Sequence, residues 1–183
     1  AYCQWAGKRL ATEAEWEYSA RSGTTSEFWT GGGSQLGGTY SSNSCGSSVR
    51  IQDGASNPEL GDYAWYCGNG SNTTQDVAGK KTNEFRLYDM AGNAAEWTSN
   101  AFDESAYNFS NDLSPDYVYE ADDADPEVLK RKVIRGGSWK DLGMYMQTST
   151  RTYEYQDTAK SYIGFRCVRT YLGRDRSEER RVG

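Results

Sequence analysis

The segment of residues 83–97, NEFRLYDMAGNAAEW, constrains the fold most, because it predicts a tight turn at its centre. Gly92 can adopt positive φ without steric cost, and Asn93 tolerates the left-handed region better than most residues. The carboxylates of Asp89 and Glu96 flank this turn with backbone carbonyls between them, and hard cations such as Ca²⁺ prefer such oxygen ligands. The same spacing also fits an ordinary turn with one solvated acid and one acid bonded to backbone amides.

The composition predicts one loop-rich globular domain whose core depends on large aromatic rings. The 183 residues include six Trp, fourteen Tyr and twenty Gly, and the net charge is −6. Lysines and arginines are scattered, which argues against a nucleic-acid-binding face. The chain lacks an apolar run of about 18 residues, so no membrane-spanning helix is expected. The absence of histidine excludes Ser-His-Asp and Cys-His catalysis and the usual histidine metal sites.

Two helices are expected near the start of the chain. The first ends at Gly7, because glycine is the usual residue just past a helix end. Thr12 followed by Glu15 forms a capping box, in which each side chain bonds a free backbone amide. We therefore expect the second helix over residues 13–21.

A long loop should follow over residues 24–81, which are rich in Gly, Ser and Asn. Its aromatic residues Tyr63, Trp65 and Tyr66 are expected to hold it against the body of the domain. Cys45 and Cys67 flank part of this loop and could form a disulfide in an oxidising compartment. Four cysteines allow three full pairings, and spacing cannot select among them. Four reduced thiols are the alternative.

The other two cysteines, Cys3 and Cys167, lie in patterns typical of a core, where free cysteine behaves as a small hydrophobic residue. Trp97 and Trp139 are likewise expected in the core.

Residues 102–127 form an acidic segment with alternating aromatics. Its aspartates Asp122, Asp123 and Asp125 lack the glycine and terminal glutamate spacing of a calcium-binding EF-hand, so a solvated acidic loop is expected. Asp125 as N-cap and Pro126 as first residue predict a short helix through Lys130.

The closing block predicts strands around residues 133–134, 151–153 and 162–168, with the last strand near the first. Gly136 and Gly137 indicate a bulge or a close approach of two backbones.

Three blocks together resemble the formylglycine-generating enzyme, or sulfatase-modifying factor, family. They are AYCQWAGKRLATEAEWEYSAR near the start, the central NEFRLYDMAGNAAEW, and RGGSW followed by TR and GFRCV near the end. Arg86 stands where the family usually has Gly, and Ala11 stands where it usually has Pro. The resemblance implies an α+β, loop-rich domain with the C-type-lectin-like fold.

Oxidase members of the family use two cysteines between the RGGS and GFR blocks to bind copper and convert a substrate cysteine to formylglycine. The corresponding residues 138–151, SWKDLGMYMQTSTR, contain no cysteine. The aligned positions are about Asp141 and Met146, and a carboxylate with one thioether is a poor Cu(I) site. Related sulfoxide synthases need histidine ligands, which this chain lacks. The resemblance therefore implies the fold without the oxidase activity.

The resemblance also implies residue roles. The family's calcium loop matches Asp89 by its side chain, Gly92 and Ala94 by their carbonyls, and Glu96 by its side chain, so structural Ca²⁺ is the predicted cofactor. Three arginines are expected to be ion-paired supports rather than catalytic groups, because no nucleophile accompanies them. They are Arg135, Arg151 and Arg166.

From residue 97 onward the sequence resembles the non-catalytic gliding-motility lipoproteins of the GldK and PorK type. This resemblance implies a structural domain of the type IX secretion machinery, held at the periplasmic face of the outer membrane through a lipid anchor. Partners would be other envelope secretion or motility proteins, with a ring or other homo-oligomer as one form. The segment 102–127 is the expected contact surface. The alternatives are a formylglycine-generating oxidase and a C-type-lectin-like ligand-binding domain.

One domain is expected over residues 1–175, truncated at its N-terminal side. Residues 176–183, RSEERRVG, are expected to be an adapter-like or disordered tail.

Overall fold

The computed structural model describes residues 2–30, 35–37, 45–46, 49–52, 57–104 and 118–170. The helices and strands are α1 (Tyr2–Trp5), β1 (Arg9–Leu10), α2 (Glu13–Arg21), β2 (Gln35–Gly37), β3 (Arg50–Gln52), β4 (Ala95–Ala101), β5 (Arg131–Arg135), β6 (Arg151–Tyr155), β7 (Ile163–Phe165) and β8 (Cys167–Val168). Short 3₁₀ helices cover Leu60–Asp62, Glu127–Lys130 and Gly143–Met146. Long loops join these elements, in agreement with the predicted α+β, loop-rich class.

Helix α2 begins and ends where the sequence predicts. The Thr12 hydroxyl accepts a hydrogen bond from the Glu15 amide at 3.2 Å, and the Glu15 carboxylate accepts one from the Thr12 amide at 2.9 Å. Ser22 takes the left-handed conformation that ends the helix. One face of α2 buries Trp16 and Ala20 against the sheet, so the capping box positions a core helix.

The charge of Glu15 should stabilise the fold in a pH-dependent way. Hydrogen bonds from the Arg9 guanidinium lower the pKa of Glu15 from its usual 4.5 to about 2. A carboxyl with a lowered folded pKa adds stability above pH 4.5, and this stability is lost as the pH falls through about 2. Glu15→Gln keeps a capping oxygen but removes the charge, so it should cost about 0.5 kcal/mol at pH 7, because the pair is half-exposed.

Urea unfolding of the wild type and Glu15→Gln between pH 7 and pH 2 measures this effect. The difference between the two proteins should shrink steadily below pH 4.5. Glu84→Gln is the matched control, since the Glu84 side chain has no ion pair within the described residues. A constant difference across the pH range would contradict the prediction.

The main sheet has the strand order β6-β5-β4-β7, with β4 at its centre. Strand β4 pairs antiparallel with β5 and parallel with β7, and Trp97 lies opposite both Ile134 and Phe165. The sequence did not predict β4 as a strand. The expected pairing of the last strand near residues 133–134 was wrong, because β4 lies between β5 and β7, and β8 pairs with β1.

Among the described residues, the core consists of two buried clusters. The larger contains Phe28, Trp29, Val49, Ile51, Leu60, Ala64, Tyr66, Ala91 and Met146. The smaller contains Ala11, Trp16, Ala20 and Met90 beside α2. Trp97 and Trp139 were expected in the core, but both are only half-buried. Of the three aromatics expected to hold the long loop, Tyr66 is fully buried, whereas Tyr63 and Trp65 are half-buried.

The four cysteines form two disulfides, with sequence separations of 22 and 164 residues. The Cys45–Cys67 bridge, which the sequence allowed beside four reduced thiols, is present, with a Cα–Cα distance of 5.1 Å. Cys3 and Cys167 were expected to be free core residues, but they form a second bridge with a Cα–Cα distance of 5.5 Å. The second bridge forms because β1 pairs with β8, which places Leu10 opposite Cys167 and brings the two ends of the described chain together.

The acidic loop around residue 122 is held by local hydrogen bonds. The Asp125 carboxylate accepts from the Tyr119 hydroxyl at 3.0 Å and from the Asp122 amide at 2.9 Å. The helix that follows is a 3₁₀ helix whose N-cap is Pro126, so the predicted cap at Asp125 was wrong by one residue. Residues 105–117 of the predicted contact surface, and the predicted tail, lie outside the described residues.

No helix among the described residues is long and apolar enough to cross a membrane.

Candidate functional site

The predicted turn at Gly92 and Asn93 is present, with φ of 77° and 65° at the two residues. A Cβ atom at Gly92 would lie 2.2 Å from the Trp65 carbonyl oxygen, so a side chain there cannot fit. Trp65 and Gly92 form a parallel bridge across this contact. Glycine is therefore required at position 92 both for the positive φ and for the close approach of the loop that contains Trp65.

Asn93 connects the turn to three other segments, a role that the sequence did not indicate. Its side chain accepts from the Gln75 amide at 2.9 Å and donates to the Gln75 carbonyl at 3.1 Å. Its backbone amide donates to the Trp65 carbonyl, and its carbonyl accepts from the Trp139 amide. This buried asparagine holds the long loop and the closing block against the start of β4.

The predicted calcium ligands lie around this turn, but their side chains already have protein partners. Asp89 accepts from the Ala78 amide at 2.8 Å. Glu96 accepts from the Trp16 indole at 2.8 Å and from the Arg166 guanidinium at 2.7 and 3.1 Å. Both Glu96 oxygens are thus engaged, and its charge is neutralised by Arg166.

Within the described residues, no three acidic or cysteine side chains converge as a metal cluster would require. In this arrangement Glu96 forms an ion pair with Arg166, so Glu96 would have to exchange Arg166 for the metal in order to bind Ca²⁺. The carbonyls of Gly92 and Ala94 lie on the same turn, and the calcium site as a whole stays a prediction.

Arg86 adopts φ of 60°, in the left-handed region that favours glycine. This conformation explains why glycine suits the position better. Arg86→Gly should raise the free energy of unfolding by about 1 kcal/mol, because it removes the steric cost of a Cβ atom in this region.

Urea unfolding at neutral pH measures the gain. Glu84→Gly, two residues earlier and outside the left-handed region, should instead lose about 0.5–1 kcal/mol through backbone entropy. Equal effects of the same sign at the two positions would contradict the strain at Arg86.

Asp141 is the residue that the family resemblance aligns with the first cysteine of the oxidases. Its carboxylate accepts from the Ser138 amide at 2.9 Å and from the Ser138 hydroxyl at 2.6 Å. Its carbonyl accepts from the Cys67 amide, which ties this turn to the Cys45–Cys67 bridge. Asp141 therefore closes a turn through hydrogen bonds.

Met146, which the resemblance aligns with the second cysteine, belongs to the larger core cluster. A Cβ atom at Gly137, where φ is 67°, would lie 2.6 Å from its terminal methyl carbon, so glycine makes room for this side chain. The neighbouring cleft has a volume of 210 Å³ and is lined by Asp141, Lys140, Tyr145 and Tyr162, among others. The Lys140 ammonium lies 3.5 Å from the centroid of the Tyr162 ring. None of these groups is a thiol.

The three arginines expected as ion-paired supports do form ion pairs. Arg135 pairs with Glu13 and Glu17, Arg151 pairs with Glu13, and Arg166 pairs with Glu96. Trp16 adds a hydrogen bond to Glu96, so ion pairs and hydrogen bonds of buried and partly buried side chains join α2 to the sheet.

The pattern of the sulfatase-modifying factor enzyme 1-like domain matches residues 1–171. The chain belongs to this family. It is 36% identical over 177 residues to the formylglycine-generating enzyme of Mycobacterium tuberculosis, covering 92% of this chain and 53% of that protein. It is 30% identical over 176 residues to the inactive Cα-formylglycine-generating enzyme 2 of Bos taurus, covering 92% of this chain and 46% of that protein. The chain thus spans about half the length of these relatives.

Solved structures show the same fold. Variable protein 1 of Treponema denticola matches with a TM-score of 0.57 and 28% identity, over 86% of this chain and 46% of that one. PvdO of Pseudomonas aeruginosa matches with a TM-score of 0.62 and 24% identity, over 90% of this chain and 55% of that one. The sulfatase-modifying-factor fold expected from the sequence is confirmed.

All four cysteines of this family member are bonded in the two disulfides. Soft sulfur ligands, thiolate or thioether, hold Cu(I), and a cysteine in a disulfide offers no thiolate. The donor set around Asp141 and Met146 therefore does not fit the copper site of the oxidases.

Proposed function

We propose that this domain is a non-catalytic structural module in a cell-envelope protein of the GldK and PorK type. The observation that carries the proposal is the state of the cysteines, because both disulfides lie outside residues 138–151 and leave no thiolate beside Asp141. The existence of a relative named as inactive, at 30% identity, shows that the family also contains proteins without the reaction.

Two disulfides in a domain of this size support an oxidising compartment, such as the periplasm. The narrower assignment to gliding motility and type IX secretion, with an outer-membrane lipid anchor in the parent protein, is supported by the sequence from residue 97 onward. The envelope secretion or motility proteins of that machinery are the proposed partners.

The second candidate function is a formylglycine-generating oxidase, favoured by the 36% identity to a relative of that name. Incubation with Cu(I), oxygen and a cysteine-containing sulfatase peptide separates the two candidates. We expect no oxygen consumption and no peptide aldehyde by mass spectrometry, because no thiolate pair can hold the copper. The M. tuberculosis relative under identical conditions is the positive control. Aldehyde formation by this chain would overturn the non-catalytic assignment.

The assembly role predicts that envelope proteins co-purify with the full-length parent protein and are lost when residues 102–127 are deleted. The deletion variant must retain the melting temperature of the wild type for the comparison to count. Retention of the same partners by the folded deletion variant would exclude this segment as the contact surface.

A further inference from the structure

The loop of residues 83–88 is held rigidly against the end of α2. The buried Asn83 amide group donates to the carbonyls of Ser19 and Ala20 at 2.7 and 3.2 Å. Its side-chain oxygen accepts from the Leu87 amide at 3.0 Å, and its carbonyl accepts from the Arg86 amide at 2.9 Å. The residues between these anchors are therefore presented to solvent in one conformation, which lowers the entropy cost of binding a partner.

This loop and α2 expose a cluster that we name the Arg86 surface, formed by Tyr18, Phe85, Arg86 and Tyr88. The exposed fractions of Tyr18 and Phe85 are 68% and 45%, and their ring centroids are 5.5 Å apart. Exposed tyrosine, phenylalanine and arginine together are typical of contact residues at protein interfaces.

Arg86 differs from most arginines of the described residues because it has no carboxylate partner there. Seven others are paired with glutamates, namely Arg9, Arg21, Arg50, Arg131, Arg135, Arg151 and Arg166. Arg169 is the only other one that lacks an ion pair among the described residues. The backbone of Arg86 has a φ of 60°, a conformation in which glycine would be less strained. An unpaired guanidinium on a strained, rigid loop fits a carboxylate supplied by another molecule.

The chain itself carries a surface of complementary chemistry, which we name the acidic surface: Asp122, Asp123, Glu127, Val128 and Leu129. All five residues are exposed, and Val128 and Leu129 add apolar area beside the acids. The Asp123 carboxylate has no hydrogen bond or ion pair within the described residues, so it can accept one from an arginine.

The two surfaces lie at opposite ends of β4. Tyr88 lies near its start, because Arg166 bonds both the Tyr88 carbonyl and Glu96. The acidic loop lies near its end, because Lys132, opposite Ala101, donates to the Tyr119 carbonyl. Seven residues of strand span roughly 20 Å, so the two surfaces of one molecule cannot meet each other.

We propose that copies of this chain associate head to tail, with the Arg86 surface of one copy binding the acidic surface of the next. Arg86 pairs with Asp123, and Phe85 and Tyr18 pack against Val128 and Leu129. Because the two surfaces differ, the contact is heterologous and can be repeated from copy to copy. The inference deepens the proposed structural role and rests on it for its biological meaning.

Sedimentation velocity of the full chain, over a range of protein and salt concentrations, tests the association. We expect concentration-dependent oligomers that weaken as salt is added, since the pair is exposed. Arg86→Gly should weaken the association several-fold while raising the melting temperature, which separates loss of contact from loss of folding. Arg86→Asp and Asp123→Arg should each weaken it at least tenfold.

An equimolar mixture of Arg86→Asp with Asp123→Arg should regain association, because each contact then joins opposite charges. Arg169→Asp is the matched control for the charge change and should leave association unchanged. A wild-type chain that stays monomeric overturns the proposal. It is overturned even if the Arg86 surface of that monomer binds an unrelated acidic protein. Equal weakening by Arg169→Asp, or no recovery in the mixture, also overturns it. A monomeric chain that is inert towards the sulfatase peptide would leave the non-catalytic assignment intact.

Discussion

Replacing Cys3 and Cys167 together by alanine is expected to lower the free energy of unfolding by about 5 kcal/mol. The bridge closes a sequence separation of 164 residues, and the loss of chain entropy in the unfolded state grows with the logarithm of the closed loop. It also holds α1 and β8 together, two elements too short to be stable alone. The double variant should unfold at a much lower urea concentration, measured by tryptophan fluorescence.

The Cys45–Cys67 bridge provides the matched control. It spans only 22 residues, so the same entropy argument gives about 3 kcal/mol for the corresponding double alanine variant. The order of the two variants is the informative result, because both remove two sulfurs and add no charge. A larger loss from the shorter loop would show that native-state contacts, rather than chain entropy, set the effect.

Local sequence signals predicted the local structure well. The Thr12–Glu15 capping box fixed the start of α2, and the Gly92-Asn93 turn appeared with positive φ at both residues. Each of these features depends on hydrogen bonds or steric limits within a few residues, so the sequence pattern contains nearly all the information.

Strand β4 was missed because its stability comes from distant residues. Its sequence AEWTSNA contains few of the residues that favour strands. The Thr98 hydroxyl donates to the Val133 carbonyl, and the Asn100 side chain accepts from the Glu13 amide. These partners are far away in sequence, and the pattern around β4 does not show them.

For the candidate site, too, the sequence predicted some features and missed those that depend on distant residues. The sequence showed that thiols are absent between Ser138 and Arg151, and it gave the ion-paired roles of the three arginines. It did not show that Cys3 pairs with Cys167, because a spacing of 164 residues carries no pairing signal. The engagement of Glu96 by Trp16 and Arg166 likewise required the packing of α2 on the sheet.

Arg135→Met is expected to destabilise the fold by about 3–5 kcal/mol. The Arg135 side chain is fully buried, pairs with Glu13 and Glu17, and donates to the carbonyls of Thr148 and Ser149. Methionine fills a similar volume but, among the described residues, leaves Glu13 with only Arg151 and Glu17 with only Arg21, and it removes the donor to the buried carbonyls. The loss of one partner of a buried pair typically costs this much. Urea unfolding at pH 7 measures the loss.

Arg50→Met is the matched control, because Arg50 pairs with Glu59 on the surface and both side chains are nearly half-exposed. An exposed pair contributes about 0–1 kcal/mol, since water and salt screen it. If Arg135→Met costs no more than Arg50→Met, the network that joins α2 to β5 does not stabilise the fold, and the support role of Arg135 fails.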